Sequence, residues 1–152
     1  MESWTARIAR LGKDLSLEGA PPEYEVCFNS ACPQHDNCLR YLVGQRRQPE
    51  KALAILPPAW AGGVPCSYYR PNRRIRLAWG FAPLFYDVRQ RDCARIRREL
   101  IRLVGSRSAY YRLNKGDVLM EPELQEKVRN VLRRNGYTES LEFANYQEVI
   151  DF

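Results

Sequence analysis

Three cysteines and the chain's single histidine fall within one short stretch, Cys27-Phe-Asn-Ser-Ala-Cys32-Pro-Gln-His35-Asp-Asn-Cys38, and a fourth cysteine follows at Cys66. Thiolates are the preferred ligands of structural zinc and of iron–sulfur clusters, and short loops between them let several sulfurs reach one point without a large core. The spacing C-x4-C-x5-C followed by the distant Cys66 predicts one four-sulfur centre. It is neither the paired C-x-x-C of zinc ribbons nor a standard ferredoxin run, so it leaves zinc and an iron–sulfur cluster both open as the cofactor. His35 is the alternate fourth ligand, through a local C-x4-C-x2-H-x2-C site. Cys66 is preferred because a remote ligand would tie the middle of the chain to the first loop. The competing reading is that these thiols are small buried hydrophobes, as free cysteines often are. The fifth, Cys93, lies on the apolar stripe of a helical segment and reads as core.

The elements that must position these groups are bounded by the bulk composition. A chain of 152 residues with 45% hydrophobic content has the size of one domain, or of two tightly joined subdomains. The first fifteen residues mix charges among apolar positions and read as no secretory signal. The apolar stretch at residues 52–64 is interrupted by Pro57, Pro58 and a glycine pair, too short and broken for a membrane span. The expectation is a cytoplasmic protein with no membrane partner, in a compartment where clustered cysteines bind metal more readily than they pair. The net charge of +6 is uneven: residues 89–134 carry 13 Lys and Arg against 6 Asp and Glu, while residues 135–152 carry four acids and no base. A basic segment of this kind is the footprint expected of a surface that meets phosphate, although solvated arginine faces also occur without any partner.

Periodicity predicts an α+β protein with two subdomains. Residues 1–88 form a Cys-rich, metal-binding half with short strands and an aromatic middle segment, and residues 89–152 form a basic, three-helix unit like a helix-turn-helix. In the first half, Trp4, Ile8 and Leu11 suit a short amphipathic helix, and Tyr24, Val26 and Phe28 alternate like a strand. Asp36 is placed to cap a helix through Leu39, Leu42 and Val43 that stops near Gly44, and residues 64–69 are set to pair with residues 74–79 as a hairpin. In the second half, Cys93, Ile96, Leu100, Leu103 and Val104 keep helical spacing up to Gly105. Ser106 caps a second helix that ends at Asn114-Lys115-Gly116. Pro122 opens a third that ends at Asn135-Gly136, followed by an apolar tail that docks back.

Two resemblances add to this reading. The segment Gly105-Ser-Arg-Ser-Ala-Tyr-Tyr-Arg-Leu-Asn-Lys-Gly116, followed by Glu121-Pro-Glu-Leu-Gln-Glu-Lys-Val128 and Arg134-Asn-Gly-Tyr137, resembles the recognition helix and next helix of Lac-repressor-type helix-turn-helix regulators. That resemblance implies that Ser106, Arg107, Tyr110 and Arg112 face DNA and that Lys115 contacts phosphate. Tyr110 is equally readable as a core residue of the helical unit. The chain as a whole, through Cys32-Pro33, Cys38-Leu39-Arg40 and Tyr110-Tyr111-Arg112, is similar to an uncharacterised Bacteroidales family of small cysteine-motif proteins, which implies no reaction.

The functional expectation is a metal-stabilised small basic protein that binds DNA or RNA or acts as a regulator. The alternatives are an iron–sulfur redox or sensor protein, and a protein-interaction module with a structural zinc, in which Trp60, Tyr68 and Tyr69 would meet a protein partner. The chain has one histidine and lacks a Gly-x-Ser-x-Gly elbow, a phosphate loop, a dinucleotide fingerprint and paired catalytic carboxylates, so no enzymatic activity is expected.

Overall fold

The computed structural model describes residues 11–12, 14–60, 66–139 and 141–152. Its chain forms two compact units, one of Met1–Arg74 with Glu148–Phe152 and one of Ile75–Gln147. The division falls at residues 74 and 75, not at residue 88, because Phe81, Leu84 and Val88 belong to the helical core. Among the described residues four α-helices and one two-stranded antiparallel sheet make the protein α+β.

Among the described residues of the first unit the one α-helix is α1, Leu39–Arg47, which buries Leu39, Val43 and Gly44. It starts after Cys38, whose backbone is extended, and not at Asp36, which sits in the 3-10 turn His35–Asn37. Gly44 does not end it. A Cβ there would stand 3.0 Å from the Cys27 carbonyl oxygen and 3.2 Å from the Phe28 ring, so glycine is what lets α1 lie against the first cysteine strand segment. The helix runs on to Gln48, which takes a left-handed conformation at φ 43°. The expected strand around Tyr24–Val26–Phe28 reduces to one parallel bridge between Val26 and Ala54, and the described residues before Arg74 contain bridges and no strand. Ala20, Val26, Leu39, Val43, Ile150 and Phe152 form the buried core of this unit. Arg47 donates to the carbonyls of Glu18, Ala20 and Pro21, pinning the turn that precedes the cysteine loop. The helix expected over Trp4, Ile8 and Leu11 lies outside the described residues except for Leu11, which bridges to Asp151.

Strand β1, Arg74–Trp79, does not pair with residues 64–69 as expected. Its partner is β2, Asn145–Ile150, in the tail, bracketed by the bonds Asp151 N–H to Arg73 O and Ala144 N–H to Gly80 O. Residues 66–69 instead form a turn closed by Tyr69 N–H donating to Cys66 O.

The second unit contains α2, Gln90–Val104, α3, Arg107–Lys115, and α4, Pro122–Arg134, with α2 packed on both others. The expected punctuation holds here: Gly105 is left-handed at φ 97°, the Ser106 hydroxyl accepts from Ala109 N–H, and Pro122 occupies the first turn of α4. Apolar side chains from all three helices meet Ala78, Phe81, Met120 and Phe143. The buried Gln125 is fully used, its amide donating to Arg76 O at 2.7 Å and Met120 O at 2.8 Å. Tyr137 donates to Asp92 Oδ2 at 2.6 Å, while Arg95 pairs with Oδ1. That hydrogen bond, helped by Arg95, Arg91 and Arg89, holds the Asp92 carboxyl below its ordinary 3.8. A depressed folded-state pKa stabilises the fold above the unfolded value and loses that contribution as the pH falls through the folded one. Changing Tyr137→Phe should therefore raise the Asp92 pKa and move the acid limb of unfolding to higher pH, read by a carboxyl NMR titration. An unaltered Asp92 titration would refute the assignment.

A cysteine-lined cavity and a basic helix face as candidate functional sites

All four predicted ligands line one cavity of about 170 Å³ in the first unit, with His35, Arg40, Tyr41, Trp60 and Tyr69 among its walls. Each thiol is placed by a different local device. Cys27 follows Val26, which exchanges bonds with Leu53 and Ile55, and its own N–H donates to Arg40 O at 3.0 Å. Cys32 sits in a turn opened by Asn29, whose Oδ1 accepts from Ala31 N–H. Cys38 is buried at the head of α1.

The remote Cys66 is brought there by a dense seam between its loop and the start of α1. Leu39 N–H donates to Arg70 O at 2.7 Å and Asn72 N–H to Asn37 O at 3.1 Å. Arg40 Nε donates to Tyr68 O and the Asn37 amide to the Tyr69 hydroxyl. Residues far apart in sequence are thus fixed within reach of one another by backbone bonds, which a chance packing of thiols would not require.

The sulfurs share the walls of the cavity without converging. Among the described residues no three His, Cys, Asp or Glu side chains come close enough to hold an ion. His35 is engaged on both ring nitrogens, Nδ1 against Cys32 O at 2.6 Å and Nε2 against the Asp36 carboxylate at 3.0 Å. A carbonyl only accepts, so Nδ1 carries hydrogen, and Nε2 would have to leave the Asp36 carboxylate, which also only accepts, before it could offer a lone pair to a metal. Trp60 was read from sequence as a surface group for a partner. The structure lays it on the cavity, with its indole N–H buried and without a hydrogen-bond partner among the described residues. Tyr68 is exposed at the rim.

In the second unit the predicted nucleic-acid residues divide. Arg107, Arg112 and Lys115 are exposed on α3 with no carboxylate partner among the described residues. Ser106 is exposed, but its hydroxyl oxygen is spent as the cap of α3. Tyr110 is a correction: it is only 5% exposed, stacked on Phe81 with centroids 4.7 Å apart, and so serves the core and not a DNA groove. Its apolar ring falls on the inner side of the helix, with Leu113. Burial raises its hydroxyl pKa, opposed by a hydrogen bond from Arg97. The neighbouring Tyr111, which sequence reasoning did not single out, is the exposed one, at 50%. Its signal was present in helical spacing, since it lies four residues from both Arg107 and Lys115.

The protein is thus an α+β chain with a thiol-lined cavity in one unit and a basic helix face in the other. It belongs to the family of unknown function DUF6078, which matches residues 11–152. No curated protein and no solved structure matches the chain.

Proposed function

We propose that the protein is a small metalloprotein in which Cys27, Cys32, Cys38 and Cys66 bind one thiolate-ligated centre, and in which the basic face of α3 contacts nucleic acid. The observation that carries the reading is the arrival of four cysteines, three from residues 27–38 and one from the distant position 66, on one small cavity. A cysteine sulfur moves on a single torsion, so binding a metal would require the thiols to turn from the cavity walls toward one point. Zinc would complete a closed structural site and hold the 66–72 loop to α1. Among the described lining residues the one base is His35, tied to the Cys32 carbonyl and the Asp36 carboxylate, so the centre is read as structural or regulatory.

An iron–sulfur cluster is the second reading. It is favoured by the aromatic, mostly apolar wall and by the unpaired Trp60 indole N–H, since donors to sulfur and burial tune such clusters. Protein purified without oxygen should contain about one zinc per chain and be colourless, or contain iron and sulfide and be brown. A chain with neither metal would end the proposal. Nucleic-acid affinity should fall steeply with salt, with Arg107→Ala and Arg112→Ala each weakening it.

A further inference from the structure

Beside α3 the second unit carries a groove of about 430 Å³, lined by Phe81, Phe85, Arg97, Tyr110, Tyr111 and Asn114, with no carboxylate among its walls. Its volume is that of a small-ligand site. Tyr111 stands at the rim, edge-on to Tyr110 with ring centroids 5.5 Å apart and half exposed. On the other side the Arg97 guanidinium, which hydrogen-bonds the Tyr110 hydroxyl, lies 5.7 Å from the Phe85 ring centroid and forms no ion pair among the described residues. The Asn114 carbonyl oxygen accepts from Phe81 N–H at 2.9 Å, which turns its amide nitrogen outward as a donor. At about 100° per residue, Arg107, Tyr111, Lys115 and Arg112 follow one another around the solvent arc of α3, beginning at the edge where Asn114 meets the groove.

We propose that this groove is a subsite for one base of a single-stranded nucleic acid, with the neighbouring phosphates on Arg97, Arg107 and Lys115. A planar occupant suits the accessible rings of Tyr111 and Phe85, behind which Phe81 and Tyr110 are buried, and an anionic one suits cations that have no acid beside them. Duplex bases are stacked and paired, so a concave aromatic site beside a basic track fits an unpaired base, the combination single-strand binders use. The inference rests on the reading of α3 as a nucleic-acid face and adds the strandedness of the ligand and the residue that stacks on it.

The test is fluorescence anisotropy of the full-length protein with labelled twelve-nucleotide dT and rU strands, a labelled duplex, and free UMP as competitor. The expected result is tighter binding of a single strand than of the duplex. Tyr111→Ala should weaken it about tenfold or more, while Tyr111→Phe, which keeps the ring, stays within about twofold. Because Tyr111 is half exposed, circular dichroism should show both variants folded. Single-strand binding indifferent to Tyr111→Ala, or UMP bound as tightly as the strands, overturns the subsite. If the duplex is still bound in a salt-dependent way, the basic-face reading survives that failure. If no nucleic acid is bound at any salt, both fall.

Discussion

Changing Cys66→Ser should abolish the metal content of the purified protein, from one centre per chain to below about a tenth, with affinity lost by far more than the roughly 10- to 100-fold typical of outer-sphere changes. The physical reason is twofold. A structural site is closed by its fourth ligand, which on the proposed reading is Cys66, at the start of the segment whose Arg70 and Asn72 bond to Leu39 and Asn37. Among the described residues the buried core of the first unit is six side chains, three of them Ala or Val, against thirteen in the second. Metal binding to a small unit is folding free energy, so its loss should loosen the first unit and leave the second folded. Limited proteolysis would then cut near residues 27–38 and spare α2 to α4. The alternate ligand set is tested by the same measurement: full metal content in Cys66→Ser together with loss in His35→Ala would move the centre onto the histidine.

The second large effect is expected from Phe81→Ala. Phe81 is 1% exposed, stacked on Tyr110 and edge-on to Phe143 at 6.4 Å. Truncating such a ring removes its burial and leaves a cavity, a change that costs about 3–5 kcal/mol. The thermal midpoint of the second unit should drop by on the order of 10 °C, measured by near-UV circular dichroism and calorimetry. Metal content should stay unchanged, which separates this loss from that of a cysteine variant. A midpoint within a degree or two of the parent would mean that Phe81 is not the keystone of this core.

Helices α2 to α4 were legible because each carried its own start and stop: Ser106, Gly105 and Pro122 act within a turn of the residues they terminate. The cysteine set was legible as a set for the same reason, three of its members being local. What the sequence hid was non-local. The partner of β1 lies some seventy residues on, and no short-range pattern in residues 64–69 competes visibly with residues 145–150 for that edge. Gly44 looked like a stop because glycine ends helices more often than it lets one approach a neighbouring carbonyl. Tyr110 and Tyr111 are chemically identical neighbours, separated in the sequence only by helical spacing: Tyr110 shares a face with Leu113 and stacks on Phe81, while Tyr111 shares one with Arg107 and Lys115.

The split composition of the first unit also makes its closure depend on residues distant in the chain. Residues 75–147 are continuous, whereas the first unit draws residues from both sides of them. The cysteine unit needs Ile150 and Phe152, more than a hundred residues after Cys38, to fill its interior. A chain whose residues 148–152 are undocked therefore lacks part of the interior beside α1, so that short segment should govern how readily the thiols meet a metal or an oxidant.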